Sequence, residues 1–248
     1  MKIIPLSEGL FTVDHSKQFV PFDATNDSIQ HRPPGSLLVE IQPFVVITAR
    51  DIILLDAGLG FLKEGRLQLH ANLLSVGIQP EQVTKVILSH LHKDHIGGII
   101  NQVAESFSPA FPMATYYVQE AELHHALSHP GSSYISSLVT WLSTYEKTQL
   151  LPGAHFIDAY IECQLTSGHS KFHQAIWIRE AGQNIFYGGD EAPQLQQMRH
   201  RFVAKYDFDG KRAMELRQQW WRQGEQEGWT FLFYHDVKHP TFSFTATP

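Results

Sequence analysis

The stretch that decides the fold is Ser89-His90-Leu91-His92-Lys93-Asp94-His95-Ile96-Gly97-Gly98, which puts three imidazoles and one carboxylate into six residues. It follows an apolar run at residues 85–88 (KVIL), which is typical of a buried strand. His90 and His92 are two residues apart, so an extended backbone at the strand end directs both rings to the same side. The spacing therefore predicts a pair of ligand-type side chains at a strand exit.

A second pair, Asp94 and His95, comes just after the predicted turn and can face a point next to the first pair. Imidazole nitrogen and carboxylate oxygen are ligands that zinc and neighbouring first-row metals accept. The alternative is a polar loop that is rich in histidine by chance. We favour a metal site, because four ligand-type residues at a strand exit, followed by two glycines, form a specific pattern.

The motif His90-x-His92-x-Asp94-His95 resembles the signature of the metallo-β-lactamase superfamily. That family has three further metal ligands downstream, and the chain has a candidate for each in the same order: His169, Asp190 and His235. Each candidate follows a short apolar or mixed run, as a residue at a strand end should. The resemblance extends from about residue 36 to the C-terminus, which is nearly the whole chain.

The resemblance implies a binuclear metal centre. The ligands that it assigns to one metal are His90, His92 and His169. The ligands that it assigns to the other metal are Asp94, His95 and His235, with Asp190 as the bridge. Zinc is the expected metal at both positions, and manganese or iron also suit these ligands. In such a centre the two metals share a hydroxide that attacks the substrate, and Asp94 is the catalytic residue because it orients that hydroxide.

Asp56 ends a predicted strand in the sequence Asp56-Ala57-Gly58, which resembles the family's Asp-x-Gly strand end. A carboxylate at this position is expected to support the ligand loop without binding metal itself. An ordinary strand-ending turn is the alternative. The only cysteine, Cys163, lies in a predicted strand and is expected to be an inert core residue.

Composition and pattern alone predict a mixed α/β protein. The resemblance refines this to a four-layer αββα sandwich, the metallo-β-lactamase fold, with two mixed sheets face to face and helices outside. We expect one domain over residues 1–248, in which residues 1–35 form an N-terminal strand and loop arm. The predicted helices include residues 67–76, 120–128, 132–146, 193–200 and 209–227, and a helix is also expected to begin within residues 96–103.

The overall composition is that of a globular protein, with 43% hydrophobic and 18% charged residues in a chain of 248. A formal net charge of -6 disfavours a nucleic-acid partner. The single cysteine fits a reducing compartment, and neither a secretory signal nor a membrane-spanning stretch is evident. We therefore expect a cytoplasmic protein that acts on a small molecule. A homodimer formed through the 1–35 arm is left open.

The resemblance also narrows the reaction. Related oxygen-reducing diiron proteins have a glutamate where this chain has His92, so hydrolysis is favoured. The layout is similar to the N-acyl-homoserine lactonases, which predicts hydrolysis of a lactone or another ester. The group's motif Gly-His-Thr-Pro-Gly-His stands here as Gly168-His169-Ser170-Lys171-Phe172-His173, in which Phe172 replaces a glycine, and Pro193 stands where a substrate-holding tyrosine is expected. The tyrosines that could replace it are Tyr187, Tyr206 and Tyr234.

Two alternatives remain at this point. A phosphoester or β-lactam hydrolase of the same fold would use the same ligands on a different substrate. A metal-binding module without catalytic activity would belong to another functional class. Degenerate members of the family generally lack ligands, whereas this chain has all seven, so the module is the weaker alternative.

Overall fold

Two six-stranded β-sheets form the centre of the computed structural model, which describes residues 1–103 and 106–244. The strands, in chain order, are β1 (Lys2–Pro5), β2 (Gly9–Val13), β3 (Phe19–Pro21), β4 (Leu37–Ile41), β5 (Phe44–Ile47), β6 (Ile52–Leu55), β7 (Leu62–Lys63), β8 (Arg66–Leu67), β9 (Lys85–Ile87), β10 (Ile100–Val103), β11 (Ser106–Pro109), β12 (Thr115–Gln119), β13 (Thr148–Leu151), β14 (His155–Ile157), β15 (Ile161–Leu165), β16 (Gln174–Glu180), β17 (Gln183–Tyr187), β18 (Trp229–Leu232) and β19 (Thr241–Ser243). The α-helices are α1 (Gln68–Ser75), α2 (Lys93–Ile96), α3 (Glu120–Ser128), α4 (Ser136–Thr144), α5 (Leu195–Arg199) and α6 (Gly210–Glu227).

Both large sheets are mixed. The first has the order β1-β5-β6-β9-β12-β13, in which β6, β9, β12 and β13 are parallel. The second has the order β14-β15-β16-β17-β18-β19 and is antiparallel except for the β17–β18 pair. A smaller sheet, β3-β2-β4, contains strands from the N-terminal region. Across the described ranges, no helix is long and apolar enough to cross a membrane.

The layers arise because successive side chains along a strand point to opposite faces of its sheet. On β9, Val86 packs into the core under α1, α3 and α4, whereas Ile87 packs between the two sheets. On β17, Tyr187 packs between the sheets, whereas Phe186 packs outward against Trp220 of α6. The predicted four-layer α/β sandwich with two mixed sheets is confirmed.

The helices predicted over residues 120–128 and 209–227 are confirmed as α3 and α6. The prediction that a helix begins within residues 96–103 is wrong. The short α2 ends at Ile96, and the chain continues as β10. Gly97 and Gly98 explain the break. Their backbone N–H groups donate to Gly58 O at 2.8 Å and to Ala57 O at 3.0 Å, so they do not make the bonds to the residue four positions earlier that would continue a helix. Glycine is required at both because a Cβ would lie 2.0 Å from Leu59 O at Gly97 and 2.3 Å from Ala57 O at Gly98.

The ends of several strands meet at one edge of the sandwich. The strands β6 and β9 are parallel in the first sheet, and β15, β17 and β18 run in one direction in the second. Their carboxyl ends therefore deliver the segments that follow them to a common edge. All the predicted site residues lie in such segments.

Candidate metal centre

The structure brings all seven predicted metal ligands together at this edge. His90 and His92 follow β9, and Asp94 and His95 lie in the first turns of α2 just beyond. The other three ligands follow β15, β17 and β18; they are His169, Asp190 and His235. Four separate loops thus contribute side chains to one point.

The ligand atoms form two groups, in each of which all atoms lie within 4.8 Å of one another. The first group comprises His90, His92 and His169. The second group comprises Asp94, His95, Asp190 and His235. Asp190 also reaches the first group, because its Oδ2 lies 3.4 Å from His169 Nε2 while its Oδ1 lies 3.0 Å from His235 Nε2.

The donor atoms suit divalent metal ions. His90 Nε2, His95 Nε2 and Asp190 Oδ1 are buried and make no regular hydrogen bond among the described residues, and the contacts of the last two are with charged members of the same cluster. An unpaired buried polar atom is costly, so atoms of this kind that converge on one point indicate a missing partner. Three or four nitrogen and oxygen donors around such a point are the ligand set that zinc and its neighbours accept.

The charges within the cluster also favour a divalent metal ion as the partner of these atoms. Burial, followed by the charge of His169, lowers the pKa of His92 to about 3. Burial also acts to lower the pKa of His235, but the charges and hydrogen bonds of Asp190 and Asp94 together outweigh it and raise that pKa to about 10. The carboxylates therefore hold protons on nearby imidazoles when no metal is present. A divalent cation would replace those protons, since metal ligands must be deprotonated.

Asp56 supports the ligand loop from beneath. Its fully buried carboxylate accepts two hydrogen bonds of 2.7 Å from Ser89, one from the backbone N–H and one from the hydroxyl. It also accepts one from His95 Nδ1 at 2.7 Å and one from the Tyr187 hydroxyl at 2.5 Å. The bond to Nδ1 places the ring proton there and leaves His95 Nε2 free to bind metal.

The ligands form the floor of an open cavity of about 710 Å³. Five ligands line it: His92, Asp94, His169, Asp190 and His235. One wall comes from β2 to β4 and the other from the segment after β17, and their apolar members are Val13, Phe19, Leu37, Leu38, Val39, Pro193 and Phe202. The volume and the apolar walls are those of a small-molecule site.

Comparison with known families agrees with this geometry. A family model described as the metallo-beta-lactamase superfamily matches residues 40–202. The chain belongs to this superfamily. The resemblance found in the sequence is thereby confirmed.

One curated relative in the superfamily is the N-acyl homoserine lactonase AttM of Rhizobium johnstonii, which is 33% identical over 114 residues. The match covers 42% of this chain and 39% of the relative, so the chain spans about two fifths of the length of the curated relatives it matches. Two solved structures share the fold over nearly their whole length. A probable metal-dependent hydrolase from Staphylococcus aureus has a TM-score of 0.78 at 22% identity, covering 98% of this chain and 91% of that one. The dizinc quorum-quenching lactonase AidC, solved with the product N-hexnoyl-L-homoserine, has a TM-score of 0.73 at 19% identity, covering 99% and 91%.

The structure separates the three tyrosines that the sequence left open. The hydroxyls of Tyr187 and Tyr234 are fully buried and donate to Asp56 and to the backbone oxygen of Asp94. Tyr206, in contrast, lines the cavity, and its ring centroid lies 6.1 Å from that of His169. Tyr206 is therefore the one of the three that a molecule in the cavity can touch.

Three buried acidic residues that the sequence analysis did not single out also contact the ligand loops. Glu122 of α3 accepts a hydrogen bond from Leu91 N at 3.2 Å. Glu191 accepts one of 2.7 Å from the backbone N–H of His169, and Asp207 lies 3.0 Å from its ring. Glu191 could have been found, because it directly follows Asp190. The other two carry no local signal, since they lie on a helix and a loop far along the chain.

Proposed function

We propose that this protein is a binuclear metal-dependent hydrolase that opens a lactone or cleaves another carboxylic ester. The observation that carries the proposal is the convergence of seven ligand-type side chains, five of which line the floor of a 710 Å³ cavity with apolar walls. Lactonases among the curated relatives support the choice of substrate class. The net charge of -6 supports a small-molecule substrate in place of a nucleic acid, and the single cysteine supports a cytoplasmic location.

Two divalent ions, most suitably zinc, would be held by the two ligand groups. His90, His92 and His169 would hold one ion; Asp94, His95 and His235 would hold the other; Asp190 would contact both. Manganese or iron would suit the same donors. When bound, such ions supply Lewis acidity and a water that is acidic enough to attack an ester at neutral pH.

Asp94 is the proposed catalytic residue. Its carboxylate lines the cavity, and its Oδ2 lies 3.4 Å from His235 Nε2 and 3.5 Å from His95 Nε2. Although burial acts to raise the pKa of Asp94, the charge of His95 and the hydrogen bond and charge of His235 together outweigh it and hold the pKa below its usual value. The carboxylate is therefore ionised at neutral pH. It can accept the proton of the attacking water at Oδ and pass it to the leaving oxygen.

Tyr206 is proposed to hold the substrate in the absence of a tyrosine at Pro193. The side-chain amide of Gln197 donates a hydrogen bond to the Tyr206 hydroxyl oxygen at 3.3 Å, which leaves the phenolic proton free to be donated. Partial burial raises the pKa of Tyr206 to about 12, so this proton stays in place at neutral pH. A hydrogen bond from Tyr206 to the ester oxygen would gain strength as negative charge develops there.

The test is a pH-stat assay, because opening a lactone releases acid. Metal-loaded protein is given an acyl-homoserine lactone, a simple γ-lactone, a linear ester, a phosphoester and a β-lactam. We expect turnover of a lactone or ester that a chelator abolishes and that added metal restores. Turnover of only the phosphoester or the β-lactam would show that the substrate assignment is wrong.

Two variants complete this test. Asp190→Ala removes the ligand that reaches both groups, so activity and the content of at least one metal should be lost. Asp27→Ala breaks the exposed ion pair with Arg32 and should leave activity and metal content unchanged. Full activity in Asp190→Ala would contradict the binuclear mechanism. Normal metal content in the parent protein without turnover of any substrate in the panel would favour a non-catalytic module.

A further inference from the structure

Asp207 lies behind one of the metal ligands, in the loop that joins α5 to α6. Its side chain is only 1% exposed, and its Oδ1 lies 3.0 Å from Nδ1 of His169, 38 residues earlier in the chain. The other ring nitrogen of His169 faces the first ligand group, with Nε2 at 3.2 Å from His92 Nδ1. The imidazole thus stands between a buried carboxylate and the predicted metal position.

This arrangement fixes both the protonation and the direction of the ring. A carboxylate at Nδ1 holds the imidazole proton on that nitrogen, so the lone pair remains on Nε2. The same bond prevents rotation of the ring about its side-chain torsions. We propose that Asp207 is a positioning residue that orients His169 for metal binding, an inference that rests on the proposed function.

Further contacts tie the Asp207 loop to the His169 loop. The backbone N–H groups of Phe208 and Asp209 donate to the backbone oxygens of His169 and Gly168, at 3.0 and 2.7 Å. These two bonds fix the register between the loops. They hold Asp207 opposite the ring of His169 even before a metal binds.

A buried arginine secures the same loop from the helix side. Arg217 of α6 donates to the backbone oxygen of Phe202 at 2.6 Å and to that of Glu191 at 2.8 Å. Glu191 in turn accepts the backbone N–H of His169 at 2.7 Å. His169 is therefore held through its ring by Asp207 and through its backbone by Glu191.

The experiment compares zinc affinity in the parent protein and in Asp207→Asn, by competition with a chromophoric chelator. The substitution keeps the shape of the side chain and removes its charge, and loss of such a partner typically weakens metal binding by about 10–100-fold. We expect that weakening for one of the two ions and little change for the other. A cobalt-loaded sample should also show an altered visible spectrum, because the geometry at His169 changes.

The matched control is Asp209→Asn, which makes the same change two residues away. The side chain of Asp209 accepts a hydrogen bond from Arg212 N at the start of α6. Asp209→Asn should lower the stability of α6 and leave zinc affinity unchanged. An equal loss of affinity in both variants would overturn the proposal, because it would reflect a loosened loop.

The protonation of His169 and the zinc affinity of the parent protein give further tests. In the zinc-loaded parent protein, ¹⁵N NMR should show a slowly exchanging proton on Nδ1 of His169, and metal bound at Nδ1 would overturn the inference even if Asp207→Asn did not fold. Equal zinc affinity in the parent and in Asp207→Asn would defeat this inference alone. Failure of the parent protein to bind zinc would instead defeat the proposed function, and this inference with it.

Discussion

Replacing Asp56 with alanine tests the support of the ligand loop most directly. The buried carboxylate is the acceptor for four hydrogen bonds, and alanine accepts none of them. The Ser89 hydroxyl can turn to His90 Nδ1, which lies 3.1 Å away. The backbone N–H of Ser89, the ring N–H of His95 and the Tyr187 hydroxyl remain as buried donors without an acceptor.

Each buried donor without a partner costs about 1–3 kcal/mol, so Asp56→Ala should lower the free energy of unfolding by about 3–9 kcal/mol. That range approaches the whole stability of a typical domain, about 5–15 kcal/mol. Asp56→Asn should cost less. Its amide oxygen can replace Oδ2 and keep three of the bonds, while its NH₂ group faces the Ser89 N–H, so one donor is lost at about 1–3 kcal/mol.

Urea unfolding of chelator-treated protein, followed by circular dichroism, measures these differences without any contribution from bound metal. The control is Asp27→Ala, which breaks the exposed pair with Arg32 and should change stability by less than about 1 kcal/mol. A loss below about 1 kcal/mol in Asp56→Ala would refute the reasoning. So would a larger loss in the asparagine variant than in the alanine variant.

Three other changes have expected outcomes. Burial raises the pKa of Glu8 from 4.5 to about 7. Its contribution to stability is therefore full below pH 4.5 and is lost as pH rises through 7. In metal-free Glu8→Gln, urea unfolding should show that the loss of stability between pH 5 and pH 8 is smaller than in the parent protein by up to about 3 kcal/mol. Tyr206→Phe removes the proposed donor to the substrate and should lower kcat/KM for a lactone by roughly 10–100-fold, with zinc content unchanged. Gly98→Ala brings a Cβ to 2.3 Å from Ala57 O and should lower the thermal midpoint, as overpacking costs about 1–3 kcal/mol.

A different result would contradict each of these three predictions. An unchanged pH profile in Glu8→Gln would mean that the carboxyl titrates normally. Equal kcat/KM in Tyr206→Phe would remove this residue from substrate binding. For the glycine, Gly131→Ala is the matched control, because its Cβ would meet only His129 O at 4.0 Å; similar losses in both variants would contradict the close-approach argument.

The clustering of the seven predicted metal ligands followed from the sequence because strand ends mark these residues. His90 and His92 follow an apolar run, and the runs before Asp190 and His235 likewise become β17 and β18. A strand positions the residue after it with little freedom, so ligand type and position in the chain together identify such residues. The four-layer fold followed from the same family pattern.

The supporting residues were not predictable in the same way. Asp207 lies in a loop without periodicity, and only the tertiary fold brings it to His169. The helix expected within residues 96–103 failed because Gly97 and Gly98 serve a close backbone approach that the local pattern does not reveal. The choice among the three tyrosines likewise depended on which hydroxyl is buried, and burial is decided by contacts between distant segments.

The single parallel pair of the second sheet, β17 and β18, has an evolutionary consequence. Parallel neighbours require a crossover, and residues 188–228 form it here. Asp190 lies near the start of that crossover, which also carries the cavity wall around Pro193 and Tyr206, while His235 lies beyond its far end. Natural selection can therefore lengthen, shorten or reshape the wall by changing the crossover alone. The cluster of predicted ligands is inherited with the strands, and the shape of the cavity above it can diverge.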